Sequence, residues 1–135
     1  MILVDSNVLM YAAGAEHPHK DPSVKFLERV ANGQVEATID AEVLQEILHR
    51  YRSLGRWKDG GKVYDLARTL FPSVVPVTAE VLDRARVLMD RHESILARDA
   101  LHAAVVMIQG FQAICSYDGD FDGIPGVVRR EPGDL

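Results

Sequence analysis

The chain has 135 residues, a formal net charge of −5 and an apolar fraction of 47%. This length suits one α/β domain with a real core and is too short for two ordinary domains, so we expect residues 1–135 to form a single domain. The apolar and charged fractions are typical of globular proteins and exclude a disordered chain. No run of residues approaches the ~20 apolar positions that a membrane span requires.

The cysteine content and the first residues bear on the compartment. The one cysteine, Cys115, excludes an internal disulfide and fits a reducing environment. The apolar opening lacks a basic leader and contains Asp5, so we expect no signal peptide and a cytoplasmic protein. The acidic net charge argues mildly against a passive nucleic-acid coat, but acids gathered around divalent cations leave a nuclease possible.

The first half of the chain alternates between apolar strand patterns and helical spacing. In chain order we predict a strand over residues 2–5, a helix capped by Ser6 or Asn7, a short helix over 24–30 that ends at Asn32-Gly33, a strand over 36–40, and a long helix that Asp40 caps.

The second half continues the alternation after a polar, basic and glycine-containing segment over residues 50–61, which predicts a helix end and a turn. We then predict a helix over 63–71, a short strand between Pro72 and Pro76, a helix starting at Thr78, an apolar helix over 97–108 that stops at Gly110, a buried strand over 111–116, and an edge strand within 126–131.

This alternation predicts a parallel or mostly parallel sheet with helices on both faces. In such sheets, ligands lie beyond the carboxyl ends of the strands. Asp5 ends the first predicted strand, and Asp118 follows a later one. We therefore expect a site at this edge of the sheet.

Four acids are the main candidates for that site: Asp5, Glu46, Asp99 and Asp118. Asp5 could be a site residue or could simply cap the following helix, with about equal weight. The helical spacing places Glu46 on a solvated face, where Glu42 competes with it. Asp99 begins an apolar helix, and His102 shares its face.

The remaining candidates are open to ordinary structural explanations. His102 could bond to a site carboxylate, although a buried histidine is more often a satisfied core residue. Asp118, Asp120 and Asp122 alternate with glycines in one loop, which is also typical of a surface turn. The loop is not a calcium loop, because no Glu follows at the required distance.

Chemistry gives a reason for these acids to come together. One or two Mg²⁺ or Mn²⁺ ions held by carboxylates would activate a water and stabilise charge during phosphodiester hydrolysis. One cysteine and five scattered histidines give no recognised zinc spacing, and the glycine-rich phosphate-binding motifs and the GxSxG motif are absent from the sequence.

Four segments resemble, in order, the four landmarks of PIN domains: MILVDSNVLMYA, VLQEIL, RDALHAA and CSYDGDFDGI. The resemblance spans essentially the whole chain and is closest to the VapC-type ribonuclease toxins of toxin–antitoxin pairs. It implies a three-layer α/β/α fold with a mostly parallel sheet, Mg²⁺- or Mn²⁺-dependent cleavage of RNA, homodimers, and inhibition by an antitoxin protein.

The resemblance also implies roles for individual residues. It assigns Asp5, Glu46, Asp99 and Asp118 to the acidic site, and Glu46 rather than Glu42 because Glu46 follows the apolar VLQ. Among these, Asp5, Asp99 and Asp118 would be metal ligands, and Asp120 could replace or supplement Asp118. Asn7 and Ser116 match small polar residues that orient the carboxylates.

A basic segment could contact the substrate. Residues 49–58 combine cations with Tyr51 and Trp57, which suits phosphate contact and base stacking by single-stranded RNA; the cations are Arg50, Arg52, Arg56 and Lys58. The alternatives are a helix end whose cations complement the helix dipole and a docking surface for the antitoxin.

Three other functions compete with the toxin interpretation. An aspartyl-phosphate phosphatase is disfavoured, because Asn7 stands where those enzymes carry a second Asp. A non-catalytic binding module with this fold would be expected to have lost an acid. A PIN nuclease acting outside a toxin–antitoxin pair fits the sequence equally well.

Overall fold

Five short strands form the central sheet of the computed structural model, which describes residues 1–135. The strands are β1 (Ile2–Val4), β2 (Ala37–Asp40), β3 (Val74–Val75), β4 (Ala113–Cys115) and β5 (Arg129–Arg130). Every neighbouring pair is parallel, and the strand order is β3-β2-β1-β4-β5. The sheet is therefore wholly parallel, which confirms the prediction of a parallel or mostly parallel sheet.

Six α-helices flank the sheet: α1 (Ser6–Ala13), α2 (Lys20–Ala31), α3 (Ala41–Ser53), α4 (Trp57–Leu70), α5 (Ala79–Arg91) and α6 (Ala97–Gln109). Two short 3₁₀ turns cover Gly119–Gly123 and Pro132–Asp134. No helix combines the length and the apolar character that crossing a membrane would need.

The alternation of side chains along β1 divides the core into two layers. Leu3 packs into a cluster with α5 and α6, whereas Ile2 and Val4 pack into a cluster with α1 to α4. Successive strand residues point to opposite faces of a sheet, so each face of β1 buries its own apolar set. The architecture is the predicted three-layer α/β/α arrangement.

The order of the strands determines where a cleft can open. From β1 the chain moves outward to β2 and β3, and then returns to place β4 and β5 on the other side of β1. Ligands of open α/β sheets bind at such a reversal, beyond the carboxyl ends of the strands. Here the reversal lies between β1 and β4, whose ends lead into Asp5 and Ser116.

Side-chain caps fix the starts of three helices. Asp40 accepts a hydrogen bond from the Val43 amide at 3.1 Å, as predicted, and Thr78, where a helix was predicted to start, accepts one from the Val81 amide at 3.3 Å. The prediction that Ser6 or Asn7 caps α1 is wrong, because the cap is Asp5. Its carboxylate accepts the Ser6 amide at 2.7 Å.

The predicted turn over residues 50–61 is also wrong in extent. Helix α3 continues to Ser53 and α4 begins at Trp57, so the turn itself is short. Gly60 lies inside α4, where a Cβ atom would stand 2.5 Å from the Tyr51 Cβ. The glycine therefore permits close contact between two helices, which the composition of the segment did not reveal.

This contact predicts opposite effects for two neighbouring glycines of α4. Gly60→Ala should destabilise the protein by about 1–3 kcal/mol, because the new methyl group has no room against Tyr51. Gly61→Ala, whose Cβ would meet nothing within 4 Å, should stabilise it by about 0.5–1 kcal/mol. Urea denaturation measures both, and equal effects would contradict the close approach of α3 and α4.

Candidate active site

An acidic cleft opens at the reversal point between β1 and β4. Its volume is about 230 Å³, and its floor and walls carry all five of the predicted acids. The lining residues are Asp5, Ser6, Asn7, Met10, Glu46, Arg50, Leu96, Arg98, Asp99, Asp118 and Asp120. The structure thus brings together acids that are separated by more than a hundred positions in the sequence.

Asp5 lies directly after β1 and is only 6% exposed. Its carboxylate accepts hydrogen bonds from the Ser6 amide at 2.7 Å, the Ser116 hydroxyl at 2.6 Å and the Asn7 amide group at 3.2 Å. One oxygen of Asp5 caps α1, which confirms the capping interpretation, and the residue also lines the cleft, where its role in the chemistry stays a prediction. Burial raises the pKa of Asp5 above its ordinary value, although the charge of His102 opposes this shift.

Ser116 connects Asp5 to the acidic loop that follows β4. The Ser116 Oγ atom donates to Asp5 and accepts from the Asp118 backbone amide at 3.0 Å. Asn7 Nδ2 lies 3.1 Å from the same oxygen. Asn7 and Ser116, predicted to orient the carboxylates, therefore lie between the first strand and the loop.

His102 is 1% exposed and lies between two carboxylates. Its Nδ1 atom is 2.6 Å from Asp40 Oδ2, and its Nε2 atom is 3.2 Å from Glu46 Oε1. Burial alone would lower the pKa of His102, but the hydrogen bond and charge of Asp40, together with Glu46, raise it well above the ordinary value. The ring is therefore an imidazolium that donates to both partners.

Asp40 is a site residue that sequence reasoning missed. The sequence pattern predicted one role for it, as the cap of α3, and the structure shows a second, as the partner of His102. Its two oxygens divide these tasks between them. The only available signal was an acid ending a buried strand, and helix capping explained that signal completely.

Glu46 is 7% exposed, so the prediction from spacing that it lies on a solvated face is wrong. Burial would raise its pKa, but the hydrogen bond and charge of His102 outweigh burial and lower the pKa. The second oxygen, Glu46 Oε2, is buried and has no hydrogen-bond partner. Glu42, one turn earlier, does not line the cleft.

Asp99, Asp118 and Asp120 form a second group whose carboxylate oxygens lie within 4.8 Å of one another. The pKa of Asp99 rises to about 6, first because of burial and then because of the charges of Asp118 and Asp5. Asp122 faces elsewhere, since its two oxygens accept from Arg129 at 2.9 and 3.1 Å. Of the three loop acids, Asp122 is therefore paired with Arg129 of β5, whereas Asp118 and Asp120 line the cleft.

The donor set fits a hard divalent cation. The buried Glu46 Oε2 lacks a partner, and Asp99 is held near like charges that a cation would neutralise. Mg²⁺ and Mn²⁺ prefer such carboxylate oxygens. His102 belongs to a possible ligand group with Asp5 and Glu46, but both of its nitrogens already donate to carboxylates, so it does not offer a free lone pair.

The predicted basic residues are only partly at the cleft. Arg50 lines it, and so does Arg98, which sequence reasoning missed and whose Nε atom lies 4.0 Å from Glu46 Oε1. Arg52 packs over the Trp57 ring at 4.1 Å.

The other two predicted cations lie outside the cleft lining. Arg56 pairs with Asp59 at 3.0 Å and lines an adjoining groove. Lys58 is exposed and lines neither the cleft nor the groove.

Known proteins resemble this chain along most of its length. Two relatives from Mycobacterium tuberculosis are ribonuclease VapC13, 40% identical over 129 residues, and ribonuclease VapC23, 38% identical over 118 residues. The first alignment covers 96% of this chain and 98% of the relative, and the second covers 87% and 93%.

Solved structures share the fold at lower identity. VapBC2 from Rickettsia felis, bound to a DNA fragment from its promoter, has a TM-score of 0.77 at 18% identity, covering 97% of this chain and 98% of the other. The sarcin-ricin loop cleaving toxin VapC20 of Mycobacterium tuberculosis has a TM-score of 0.76 at 20% identity, covering 95% and 97%.

The family comparison agrees with the fold and the cleft. The PIN domain model matches residues 2–127, which include all the acids of the cleft. Together with the identity to relatives over nearly the full chain, this match shows that the protein belongs to the PIN-domain family, and within it to the VapC ribonucleases.

Proposed function

We propose that this protein is a Mg²⁺- or Mn²⁺-dependent ribonuclease that acts as the toxin of a toxin–antitoxin pair. The observation that carries the proposal is the convergence of five carboxylates in one cleft, where Glu46 Oε2 is buried without a partner. The names of the relatives support RNA as the substrate class. The composition of the cleft supports the dependence on a divalent cation.

Asp5, Asp99, Asp118 and Asp120 are the residues that would hold the cation. When bound there, a divalent cation lowers the pKa of a water molecule and neutralises charge on the phosphate. Ser116 and Asn7 fix the Asp5 carboxylate through hydrogen bonds of 2.6 and 3.2 Å. Such fixed geometry is what positions reacting groups without reorganisation during the reaction.

Glu46 and His102 act as one unit in this proposal. The imidazolium of His102 keeps Glu46 ionised and holds its Oε1 atom, while Oε2 is buried and has no hydrogen-bond partner. An ionised Oε2 can accept a hydrogen bond from the attacking water or complete the ligand set. Arg50 and Arg98, on the cleft wall, supply the positive charge that an approaching phosphate needs.

Asp5→Asn tests the proposal directly, because the amide keeps the shape and capping ability of Asp5 but removes its charge. We expect the variant to fold and to lose roughly a hundredfold or more of the cleavage of single-stranded RNA in Mg²⁺ or Mn²⁺. EDTA should abolish cleavage by the wild type. Full cleavage by Asp5→Asn, in a preparation free of contaminating ribonuclease, would contradict the assignment.

Two matched pairs serve as controls for that experiment. Glu46→Gln should reduce cleavage strongly and Glu42→Gln should not, since only Glu46 lines the cleft. Asp120→Asn should reduce cleavage less than Asp118→Asn, because Asp120 is exposed and Asp118 is half-buried and held by Ser116. The reverse order would mean that Asp120 is the main loop ligand.

The pKa of Asp99 gives a prediction for the metal-free protein. Because its folded value of about 6 exceeds the ordinary 3.8, the folded state holds more protons than the unfolded chain between these values, and stability falls as pH rises through them. Asp99→Asn should therefore stabilise the protein in EDTA at pH 7 by about 1 kcal/mol, a figure that already allows for solvent screening. This corresponds to a rise of about 3 °C in Tm.

The stabilisation should shrink as the pH is lowered from 6 towards 4, where the wild-type carboxyl becomes protonated as well. Thermal melts in EDTA at several pH values measure it, with Asp83→Asn on the exposed surface of α5 as the control. A variant less stable than the wild type at pH 7 would show that Asp99 is not held among like charges.

We also propose that the protein binds an antitoxin and forms a homodimer. The relation to VapC proteins supports the antitoxin, and exposed apolar side chains on α5 support self-association: Leu82, Val87 and Met89 are 51%, 37% and 39% exposed. Light scattering at micromolar concentration should give a mass of two chains for the wild type. Leu82→Asp should lower the measured mass towards that of a single chain. A monomeric wild type would refute the dimer.

A further inference from the structure

A groove of about 420 Å³ adjoins the acidic cleft and is not explained by the metal chemistry. The two share Asn7, Met10 and Arg50, so the groove continues directly from the acids. Beyond the shared wall, the groove is lined by Tyr11, Gly14, Tyr51, Leu54 and Arg56. If an RNA strand places a phosphate among the acids, the neighbouring nucleotide must leave the cleft along one of its open sides.

Tyr11 is the aromatic ring that the groove presents, since Tyr51 is only 6% exposed. Tyr11 packs within a cluster of four rings, with centroid distances of 4.6 Å to His17, 5.0 Å to His19 and 5.3 Å to Tyr117. His19 and Tyr117 stack on each other at 3.9 Å with an interplanar angle of 14°. The ring of Tyr11 thus has three aromatic neighbours in place before any ligand arrives.

The support is tied to the acidic site through Tyr117. Its hydroxyl donates to the His19 carbonyl at 3.0 Å and lies 2.7 Å from Ser23 Oγ, while its backbone amide donates to Asn7 Oδ1 at 3.4 Å. Tyr117 also stands between Ser116 and Asp118 in the chain. The ring cluster and the carboxylates therefore share one rigid framework, which lowers the entropic cost of ordering a bound ligand.

The polar groups of the groove suit a nucleotide. Arg50 lies on the wall between cleft and groove and has no ion-pair partner within 4.0 Å, whereas Arg56 is paired with Asp59. Asn7 and Tyr11 lie one turn apart on the same side of α1, about 6 Å along its axis. A cation and an aromatic ring that line the same groove, together with apolar Met10 and Leu54, supply the chemistry that binds one base of a single strand.

Resting on the proposed ribonuclease function, we propose that this groove is a nucleobase subsite of the RNA strand. The base next to the scissile phosphate stacks on Tyr11, and Arg50 contacts the phosphate between that base and the cleft. The subsite requires an unpaired base, because a base in a duplex is stacked between its neighbours and cannot enter a groove. It would make cleavage selective for unpaired segments.

Binding can be tested separately from cleavage. We would measure fluorescence anisotropy of a fluorescein-labelled single-stranded RNA of 12 nucleotides in EDTA, with all proteins in the Asp99→Asn background. Tyr11→Leu should raise the Kd about tenfold, whereas Tyr11→Phe, which keeps the ring, should change it by less than about twofold. Tyr64→Leu, a partly buried tyrosine on α4 outside both pockets, is the matched control and should bind as the parent does.

A series of RNAs with one abasic position each supplies a test without any change in the protein. Removal of the base at one position should weaken binding to the parent about tenfold. The same removal should cause no further loss of binding to Tyr11→Leu, because the base and the ring belong to the same contact. The proposal is overturned if no position has this effect, if Tyr11→Leu binds as the parent does, or if Tyr11→Phe loses binding too.

The outcomes also separate this proposal from the ribonuclease function. Unchanged RNA binding by a folded Tyr11→Leu would overturn the subsite and leave the ribonuclease function untouched. Failure of the parent to bind RNA overturns the subsite, whereas the nuclease is judged independently, by cleavage with the wild type in Mn²⁺. Cleavage that persists while the groove has no effect on binding would leave the acidic site intact and remove only the subsite.

Discussion

Repulsion among carboxylates is the constraint on which this structure depends. The all-parallel sheet delivers Asp5 and Asp118 to the same edge, and α3 and α6 add Glu46 and Asp99. Burial and neighbouring charges make it costly to keep these groups ionised, as the raised pKa of Asp99 at about 6 shows. The protein offsets part of this cost with donors that it supplies itself: the Ser116 hydroxyl, the Asn7 amide and the imidazolium of His102. A cation bound in the cleft would offset the rest, so in the proposed function the arrangement that weakens the metal-free fold is also the one that would bind the metal.

Local sequence signals predicted those parts of the molecule that depend on neighbouring residues. The cap at Asp40, the helix start at Thr78, the acids that follow β1 and β4, and the alternation that gives the parallel sheet all follow from short-range patterns. Helical spacing shows which residues share a face but not what that face meets, so the burial of Glu46 was not predictable from it. The contact between Asp40 and His102 joins residues 62 positions apart, and no local pattern reports such a pair. The early start of α4 was missed for the same reason, because the role of Gly60 depends on Tyr51 of another helix.

The family resemblance and the geometry carry different parts of the functional account. The motifs supplied the acids and the class of reaction, and the family match covers residues 2–127, the range in which all these acids lie. The motifs do not show which residues contact RNA: Arg98 lies within RDALHAA but was not among the predicted cations, and two of the rings that surround Tyr11, those of His17 and His19, lie outside all four motifs. Of the predicted cations, Arg50 alone lines the acidic cleft. The acids of the cleft are therefore readable from the sequence, whereas the groove beside them requires the arrangement of the side chains in space.

The central claim is that the carboxylates of the cleft hold a divalent cation. Anomalous X-ray scattering from crystals grown with Mn²⁺ tests it most directly, because the ion is located without reference to activity. The account predicts a peak within about 2.0–2.6 Å of carboxylate oxygens of Asp99 and of Asp5 or Asp118, and no peak in crystals of Asp99→Asn. A well-ordered wild-type crystal that shows no peak in the cleft, or one bound only by residues outside it, would contradict the account.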